Sequence, residues 1–389
     1  MSERTAGRLL FLVSEDWYFL SHRLPMARAA RDAGYEVHVA ARVGEGGARI
    51  AAEGFALHPL DWRRGSLNPH DLLGIVRQVR SLYRRLEPDL VHHVALQPSI
   101  VGSLAAAGMA FPRLNALAGL GFGFTSATLK GRLLRPVLGA LLRALLNRPG
   151  AFVLVQNPDD AAAVRALGVA PERLFTIPGS GVDTDRLRPL PEPPGPVTAA
   201  FVGRLLDDKG VRPLIAAQAM LAARGEEVRL LIAGDRDPAN PASIDAREIA
   251  AWKSRPGVTL LGHVDDIPGL WARAHIAVLP SRREGLPLSL LEAAACGRPI
   301  VATDVPGCRE IARQGVNALL VPPDDAAALA EAIAALARDP QRRQRFAAAG
   351  RALVEREFSA AQIGRQIVAV YDHLLGAGRP LLPQAALHG

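Results

Sequence analysis

Short apolar runs alternate with longer amphipathic stretches through almost the whole chain. The runs are five to seven residues long, and most lack a polar alternation, as expected of strands buried on both faces. They cover 8–13, 36–42, 56–61, 90–95, 113–117, 152–157 and 173–179, then 197–203, 228–234, 258–264, 276–280, 299–303 and 318–322. Helix-length segments lie between them, at 21–33, 68–86, 98–109, 210–224 and 288–296. The alternation predicts two doubly wound α/β domains with parallel sheets.

A proline-rich segment, 189–196, separates the two sets of runs. Because proline lacks an amide hydrogen, this segment cannot continue a helix or a central strand, and it is interpreted as an interdomain linker. It divides an N-terminal domain, 1–188, from a C-terminal domain, 197–360. The remaining residues, 361–389, are expected to form a helix and tail that return to the N-terminal domain. Two such domains are expected to face each other across a cleft that binds ligands.

The composition is that of a globular protein with two cores, since 49% of its 389 residues are hydrophobic. The two cysteines, Cys296 and Cys308, belong to no metal-type or redox-type cluster and are interpreted as packing residues. The most apolar stretch, 133–146, is interrupted by Arg135 and Arg143, so no transmembrane helix is predicted. We therefore expect a cytoplasmic location.

Positive charge is concentrated in the N-terminal half. The net charge is +8, of which +7 belongs to residues 1–190. The clusters consist of Arg63, Arg64, Arg77, Arg80, Arg84 and Arg85, and of Lys130, Arg132, Arg135, Arg143 and Arg148. Such a surface suits an anionic membrane or a phosphorylated acceptor, and an ordinary solvated helix face is the alternative. Nucleic acid is not predicted as a partner, because the clusters lack interleaved aromatic residues.

Two basic residues follow the first strand of the C-terminal half. The strand ends at Gly203 and a helix begins near Gly210, so Arg204 and Lys209 both lie on the loop at the carboxyl end of that strand. A planar guanidinium and a compact ammonium can together bind a diphosphate and offset the charge of a departing nucleoside diphosphate. A solvated turn is the alternative.

Two glutamates, Glu284 and Glu292, stand eight residues apart across a second strand-to-helix turn. Gly285 permits close backbone approach, and Pro287 suits the first turn of a helix whose free N–H groups would face a ligand. Glu292 lies one turn after Leu288 on the same helix face, where its carboxylate can accept two hydroxyl protons, as from a ribose.

This spacing and its surroundings resemble one enzyme family. The similar segments are 280–293, 299–303, 306–310 and 315–322. They resemble the E-x7-E region of the retaining glycosyltransferases of family four, which have the GT-B fold, two Rossmann-like domains facing a central cleft. The resemblance covers nearly the whole C-terminal half, with Ala318 standing where the family usually has glycine.

The resemblance implies roles for the matching residues. Arg204 and Lys209 would bind the pyrophosphate of a UDP- or GDP-linked sugar, Glu292 its ribose, and Glu284 the transferred sugar. The anomeric configuration would be retained, and the departing phosphate oxygen would accept the proton of the incoming hydroxyl.

Backbone groups complete the implied donor site. Those of residues 285–288 would contact the sugar, while Gly234, His263 and Val264 would border the nucleobase. The predicted donor-binding residues are therefore Gly203, Arg204, Lys209, Gly234, His263, Val264, Glu284, Gly285, Leu286, Pro287, Leu288 and Glu292.

The N-terminal half resembles a narrower group. Segments 15–25, 88–93 and 115–122 are similar to bacterial transferases that build surface polysaccharide, of the capsule or O-antigen type, on a lipid diphosphate carrier. The acceptor would then be a polysaccharide or a saccharide linked to undecaprenyl diphosphate, and the protein would associate peripherally with the inner membrane face.

Four polar residues of that half are candidates for the site. His92 and His93 end a strand, where the family often has a histidine that contacts the donor or orients the acceptor, so they are counted with Glu284, Lys209 and Arg204 as catalytic candidates. A structural role for each histidine is the alternative. Asp16 and His22, in the first strand-helix loop, are candidates for binding the acceptor.

Asp183 and Asp185 form the D-x-D pattern with which another transferase fold binds a divalent metal. Their context at the domain junction differs, and two cations already face the expected diphosphate, so no metal and no cofactor are predicted. Two other functions stay open, a nucleotide-sugar epimerase on the same fold and a scaffold that binds nucleotide sugars without catalysis. The sequence predicts no oligomeric state.

Overall fold

The computed structural model describes residues 6–63, 68–117, 129–238 and 240–376. The chain forms two compact units. The N-terminal unit contains residues 6–181 and 360–376, and the C-terminal unit contains Val182–Ser359. Arg64, the segment 118–122 and the side chains of Lys130, Arg132 and Arg135 lie outside the described part.

The N-terminal unit is built on a seven-stranded sheet whose paired strands are all parallel. Its strands are β1 (Gly7–Glu15), β2 (Tyr35–Arg42), β3 (Ala56–Pro59), β4 (Leu90–Val94), β5 (Arg113–Ala116), β6 (Ala151–Val155) and β7 (Leu174–Thr176), in the order β3-β2-β1-β4-β5-β6-β7. Its helices include α1 (Asp16–His22), α2 (Leu24–Asp32), α3 (Gly47–Ala52), α4 (Pro69–Leu86), α5 (Leu96–Ala105), α6 (Leu129–Leu146) and α7 (Pro158–Ala166).

The central strand shows why these runs are apolar without alternation. Leu9, Phe11 and Val13 of β1 pack into one hydrophobic cluster, while Leu10 and Leu12 pack into another. Since successive side chains of a strand point to opposite faces, both faces of the sheet are covered. The runs predicted from the sequence therefore correspond to strands of a parallel sheet.

The C-terminal unit has the same architecture with six parallel strands. The strands are β8 (Thr198–Val202), β9 (Arg229–Ala233), β10 (Val258–Gly262), β11 (Ile276–Leu279), β12 (Ile300–Thr303) and β13 (Ala318–Val321), in the order β10-β9-β8-β11-β12-β13. The helices are α8 (Val211–Ala223), α9 (Ala246–Lys253), α10 (Ile267–Trp271), α11 (Leu288–Ala295), α12 (Pro306–Ile311), α13 (Ala326–Arg338) and α14 (Pro340–Leu353). The doubly wound fold predicted for both halves is confirmed.

The proline-rich segment packs inside the C-terminal unit, and the units divide earlier, between residues 181 and 182. Glu192 forms two hydrogen bonds of 2.8 Å with the Arg343 guanidinium, and the Pro191 carbonyl accepts a 2.9 Å hydrogen bond from Arg298. These contacts fix the segment onto the unit that follows it, so its prolines mark an ordered edge of the C-terminal unit.

The last described helix, α15 (Ala360–Leu374), belongs to the N-terminal unit and lies against α2. Gly364 lets the two helices approach, because a Cβ there would lie 2.7 Å from the Ala29 methyl. Asp372 accepts a buried 2.8 Å hydrogen bond from the Tyr35 hydroxyl of β2. The chain therefore returns to complete the core of its first unit.

No helix among the described residues is long and apolar enough to cross a bilayer.

Candidate functional site

The carboxyl ends of the C-terminal strands meet at one edge of their parallel sheet. The strand order reverses between β8 and β11, and ligands of doubly wound sheets bind beside such a reversal. The loop after β8 carries Arg204 and Lys209, and the loop after β11 carries Glu284. Folding therefore brings both charged segments identified in the sequence to the reversal point.

The centre of this arrangement is an ion pair between Lys209 and Glu284. The Lys209 Nζ and Glu284 Oε1 atoms lie 2.6 Å apart, and the two side chains are 22% and 9% exposed. Ser281 Oγ donates a second hydrogen bond of 2.7 Å to the same carboxylate oxygen. The backbone carbonyl of Ser281 in turn accepts a hydrogen bond from the Thr303 hydroxyl at the end of β12. Three adjacent strand ends thus position one ammonium and one carboxylate.

The second predicted cation, Arg204, is half exposed and pairs with Asp237. Its Nη1 lies 2.8 Å from Asp237 Oδ2, and the Asp237 side chain is 12% exposed. Asp237 stands on the loop after β9, beside the loop that carries Arg204. The two cations expected to bind a diphosphate therefore both form ion pairs with carboxylates.

Two glycines allow the loops of this edge to pack backbone against backbone. Gly210 has a φ of +70°, and a Cβ there would lie 1.9 Å from the carbonyl oxygen of Pro280. Gly234 has a φ of +138°, and a Cβ there would lie 1.9 Å from the carbonyl oxygen of Gly203. Both positions require glycine for its left-handed backbone and for its lack of a side chain.

The loop between β11 and α11 is fixed in the same way. A Cβ on Gly307, in the first turn of α12, would lie 2.4 Å from the carbonyl oxygen of Gly285. Pro287 precedes the first residue of α11, while Leu286 and Leu288 pack against the core of the unit. The free N–H groups in the first turn of this helix therefore lie directly after the loop that carries Glu284.

Glu292 lies on α11, one turn after its first residue. Its side chain is partly buried and makes no hydrogen bond or ion pair with the residues described. Burial raises the pKa of the Glu292 carboxyl to about 7, and the nearby Arg186 opposes this shift. An unpaired carboxyl held beside a strand reversal is suited to accept hydroxyl protons from a ligand.

Further ion pairs, which the sequence did not suggest, join the loop after β11 to the loops after β8 and β13. Arg282 binds Asp207 at 2.7 Å and Asp324 at 2.8 Å, and Arg283 lies 3.2 Å from Asp208. Asp208 also has a buried oxygen, Oδ1, without a hydrogen-bond partner. Most of these side chains are exposed, so the pairs orient the loops more than they stabilise the fold.

The residues predicted to border the nucleobase differ in how firmly the structure holds them. Gly234 and Gly262 end adjacent strands, and the Gly234 amide donates a 2.7 Å hydrogen bond to the Gly262 carbonyl. His263 is 73% exposed and lies 3.3 Å from Asp265, whereas Val264 packs partly into the core. This hydrogen bond fixes the backbone at the ends of β9 and β10. Among the described residues, the His263 side chain is held only by the exposed Asp265.

The D-x-D pattern has a local structural role. Asp183 Oδ1 accepts hydrogen bonds from the amides of Asp185 and Arg186, at 3.0 and 2.9 Å, so the carboxylate closes a turn. Within the part of the chain that the structure covers, no three side chains of His, Cys, Asp and Glu are arranged to hold a metal ion.

Asp16, proposed from the sequence to bind the acceptor, is hydrogen-bonded to the backbone of its own unit. Its carboxylate is 2% exposed and accepts hydrogen bonds from the amides of Trp17, Gly44 and Gly46, at 2.7, 2.6 and 2.9 Å. These bonds fix the loop that follows β2. Asp16 therefore organises the backbone of this loop.

His93 is likewise a structural residue. Its ring is fully buried, with Nε2 2.9 Å from the Tyr83 hydroxyl and Nδ1 2.8 Å from the Asn115 amide oxygen. Burial lowers the pKa of the His93 imidazole to about 4. Both ring nitrogens are used inside the core, which favours the structural alternative stated for His93.

His92 is also fully buried in the N-terminal unit. It stacks on Phe11 at 5.0 Å, and its Nδ1 lies 2.7 Å from the Tyr371 hydroxyl of α15, while Nε2 has no partner. Burial holds the pKa of the His92 imidazole well below its usual value. His92 therefore packs the strand onto the last helix, as the structural alternative for this residue expects.

His22, the other acceptor candidate, lies at the end of α1. Its ring stacks on Tyr18 at 4.3 Å, and Nδ1 lies 2.6 Å from the Ser21 hydroxyl. It is partly exposed. His22 therefore keeps an accessible face, unlike Asp16.

The two doubly wound units define a two-domain α/β protein with charged loops at the strand reversal of its second sheet. Residues 196–339 match the family model described as glycosyl transferases group 1, and residues 8–155 match that described as glycosyl transferase 4-like. Each half of the chain thus matches a glycosyltransferase model, and the two matches together cover most of the chain.

Two relatives match along nearly their whole length. The chain is 28% identical to the N,N'-diacetylbacillosaminyl-diphospho-undecaprenol alpha-1,3-N-acetylgalactosaminyltransferase of Campylobacter jejuni, covering 92% of this chain and 98% of that protein. It is 29% identical to the putative glycosyltransferase EpsD of Bacillus subtilis, covering 94% of this chain and 96% of that protein.

Solved structures agree on the fold. A sucrose-phosphate synthase from Thermosynechococcus elongatus superimposes with a TM-score of 0.80 at 22% identity, covering 95% of this chain and all of that chain. Anabaena HepE in complex with UDP and glucose gives a TM-score of 0.77 at 20% identity, covering 94% and 99%. The GT-B fold class expected from the sequence is confirmed.

Proposed function

We propose that the protein is a retaining glycosyltransferase that moves a hexosyl or N-acetylhexosaminyl group from a UDP- or GDP-linked donor to a saccharide hydroxyl. The acceptor is a polysaccharide or a sugar linked to undecaprenyl diphosphate. The reaction contributes to the synthesis of a bacterial surface polysaccharide. The Lys209–Glu284 pair at the strand reversal carries the proposal. The name of the Campylobacter relative supports the acceptor class, and the UDP in HepE supports the donor class.

The electrostatics of the reversal support transfer from a nucleoside diphosphate. Negative charge grows on the leaving diphosphate as its bond to the sugar breaks. Lys209 and Arg204 then exchange their carboxylate partners for phosphate oxygens, and the first turn of α11 adds free N–H groups. These groups stabilise the transition state more than the ground state, which is the condition for faster turnover.

Glu284 binds the transferred sugar in this proposal. One of its oxygens accepts a hydrogen bond from Ser281, which keeps the carboxylate beside the anomeric carbon after Lys209 has moved to the phosphate and as positive charge develops on the ring. The acceptor hydroxyl attacks from the face that the diphosphate leaves, and a phosphate oxygen accepts the hydroxyl proton. The configuration is retained without a separate base.

Positive side chains supply the charge stabilisation, so we also propose that the reaction needs neither a metal ion nor another cofactor. The protein would act in the cytoplasm, at the inner face of the membrane that carries the acceptor. The excess positive charge of residues 1–190 supports that location.

Substitution of Lys209 tests the function. We expect Lys209→Ala to lower kcat by about 100-fold or more, because one of the groups that stabilise the departing charge is lost. Lys253→Ala removes an exposed lysine of the same unit and should leave kcat unchanged. Lys209→Arg keeps the positive charge and serves as the conservative variant. The melting temperatures of the variants show whether a lower kcat reflects a loss of folding instead. Turnover near that of the wild type in a folded Lys209→Ala protein would refute the proposal.

The stereochemistry is measured separately. NMR of the product from an α-linked donor should show an α linkage, and a β linkage would contradict retention.

A further inference from the structure

A tryptophan is exposed at the carboxyl edge of the N-terminal sheet. Trp17 is the second residue of α1, which begins where β1 ends, and it is 42% exposed. The other three tryptophans, Trp62, Trp252 and Trp271, are at most 5% exposed. One exposed aromatic side chain is not unusual by itself, so its position in the fold decides what it can bind.

Trp17 lies where a parallel sheet binds ligands. The strand order of the N-terminal sheet reverses between β1 and β4, and ligands of such sheets bind beyond the carboxyl ends of the strands at the reversal. Because α1 follows β1 directly, Trp17 stands at that edge. The corresponding edge of the C-terminal sheet carries Lys209 and Glu284, which are assigned to the donor. The edge that bears Trp17 is therefore the ligand edge of the other unit.

One buried carboxylate holds the backbone around Trp17. The Oδ1 atom of Asp16 accepts a 2.7 Å hydrogen bond from the Trp17 amide. Its Oδ2 accepts hydrogen bonds of 2.6 and 2.9 Å from the amides of Gly44 and Gly46, in the loop after β2. That loop also carries Val43, which is 38% exposed. The same carboxylate thus joins the two segments that carry these exposed apolar side chains, and a pre-organised surface binds a ligand at a lower cost in entropy.

The polar and charged groups beside Trp17 suit a neutral ligand that is rich in hydroxyl groups. Ser21 lies four residues after Trp17, on the same face of α1, and is exposed. The loop after β2 carries the exposed Glu45, and Arg42 before this loop is paired with the buried Glu15. An anionic membrane surface attracts unpaired basic residues and repels carboxylates. The surroundings of Trp17 therefore favour a saccharide over anionic lipid headgroups.

We infer that Trp17 binds a pyranose ring of the acceptor saccharide by stacking. A pyranose has C–H bonds on its faces and hydroxyl groups around its rim. A C–H face packs on the electron-rich face of the indole, which buries apolar surface while the rim stays free for hydrogen bonds with groups such as Ser21 and His22. This role rests on the proposed function, since the donor is assigned to the C-terminal unit. Trp17 is thereby a residue that binds the acceptor and not the donor.

Kinetics with both substrates test the assignment. We expect Trp17→Ala to raise the KM of the acceptor by about tenfold or more, as for a central aromatic contact, with the KM of the donor and kcat little changed. Trp17→Phe keeps an aromatic face and should stay within about threefold of the wild type. Val137→Ala, at an exposed apolar position on α6, should leave both KM values unchanged. A folded Trp17→Ala protein with the acceptor KM of the wild type would overturn the inference.

The exposed tryptophan also allows a binding test on the wild type, which depends neither on transfer nor on the folding of a variant. Acrylamide quenches the fluorescence of exposed tryptophans, and the other three are buried, so the quenching reports Trp17. Methyl glycosides of glucose, galactose, N-acetylglucosamine and N-acetylgalactosamine are added one at a time. At saturation, at least one should lower the quenching constant by about twofold, because stacking covers one of the two faces of the indole. Sorbitol, a linear polyol without a ring face, should not lower it at the same concentration.

The two experiments together distinguish failure of this inference from failure of the proposed function. If no sugar is transferred but a glycoside protects Trp17 from acrylamide, the transferase proposal fails and the saccharide site stands. If transfer occurs while no glycoside protects Trp17 and Trp17→Ala keeps its acceptor KM, the proposed function stands and the saccharide site is overturned. Protection by phosphatidylglycerol vesicles alone would assign Trp17 to a membrane contact and would equally overturn the inference.

Discussion

At the residue scale, the Glu292 carboxyl links stability to ligand binding. Its pKa of about 7 in the folded protein lies above the ordinary value of 4.5, because burial favours the neutral acid. The folded state therefore binds the extra proton between pH 4.5 and 7, and stability falls as the pH rises through that interval. A carboxyl that lowers stability when it ionises near neutral pH is consistent with a role of its ionised form in binding a substrate.

Replacement by the neutral isostere should restore the lost stability. We expect Glu292→Gln to raise the free energy of unfolding at pH 8 by about 1–2 kcal/mol and to change it little at pH 4, where the wild-type carboxyl is protonated. Urea unfolding at the two pH values measures the difference. Glu331→Gln, at an exposed position of the same unit, serves as the control and should stay within about 0.5 kcal/mol.

The same variant should lose donor affinity. If the ionised carboxylate accepts the ribose hydroxyls, wild-type affinity for a nucleotide sugar falls roughly tenfold between pH 8 and pH 6, while that of Glu292→Gln stays low and nearly constant. Calorimetric titration checks this. A variant destabilised at pH 8, or one that binds the donor like the wild type, would contradict the role given to Glu292.

At the scale of the elements, the loops at the strand reversal depend on glycines that lack room for a side chain. Gly234→Ala would place a methyl against the Gly203 carbonyl in a backbone conformation that L-residues rarely adopt. We expect a loss of about 2–4 kcal/mol in the free energy of unfolding and at least tenfold weaker donor binding, because the loop that carries Arg204 must move. Urea unfolding and calorimetry provide the two values.

Gly225→Ala is the matched control for this substitution. Gly225 ends the turn after α8 with a φ of +73°, and no heavy atom lies within 4 Å of the position of a Cβ there. It should therefore lose only about 1 kcal/mol, from the left-handed backbone alone, and keep full donor affinity. Equal effects of the two substitutions would show that backbone strain, and not the contact with Gly203, explains the loss at Gly234.

The elements also show what the sequence could predict. Continuous apolar runs predicted the strands of both sheets, because a parallel sheet covered on both faces requires them. Motif spacing predicted that Lys209 and Glu284 would lie at strand ends, where they form an ion pair. No sequence pattern indicated that Asp237 and Ser281 would lie beside the predicted residues. Which loops meet depends on the order of the strands in the sheet. The burial of His93 could not be predicted, because a strand-end position does not reveal whether a side chain points to the solvent or to the core.

For the whole molecule, the uneven charge distribution has a structural counterpart on α4. Leu73, Arg77 and Arg84 follow one another at spacings of four and seven residues, so they lie on one face of the helix. All three side chains are exposed, and Leu73 is 47% exposed. A face that combines an exposed leucine with arginines is suited to lie on an anionic bilayer, with the leucine entering the headgroup layer.

Vesicle sedimentation tests this surface. The wild type should bind phosphatidylglycerol vesicles more strongly than phosphatidylcholine vesicles, and binding should weaken as salt rises, because each exposed arginine contributes about 1 kcal/mol near an anionic surface. Reversing two charges with Arg77→Glu and Arg84→Glu should therefore reduce vesicle binding by more than tenfold. Arg247→Glu with Arg255→Glu makes the same change in net charge on exposed positions of the C-terminal unit. Equal losses in the two double variants would assign membrane attraction to net charge, and only a selective loss in the first supports the α4 face as the membrane contact.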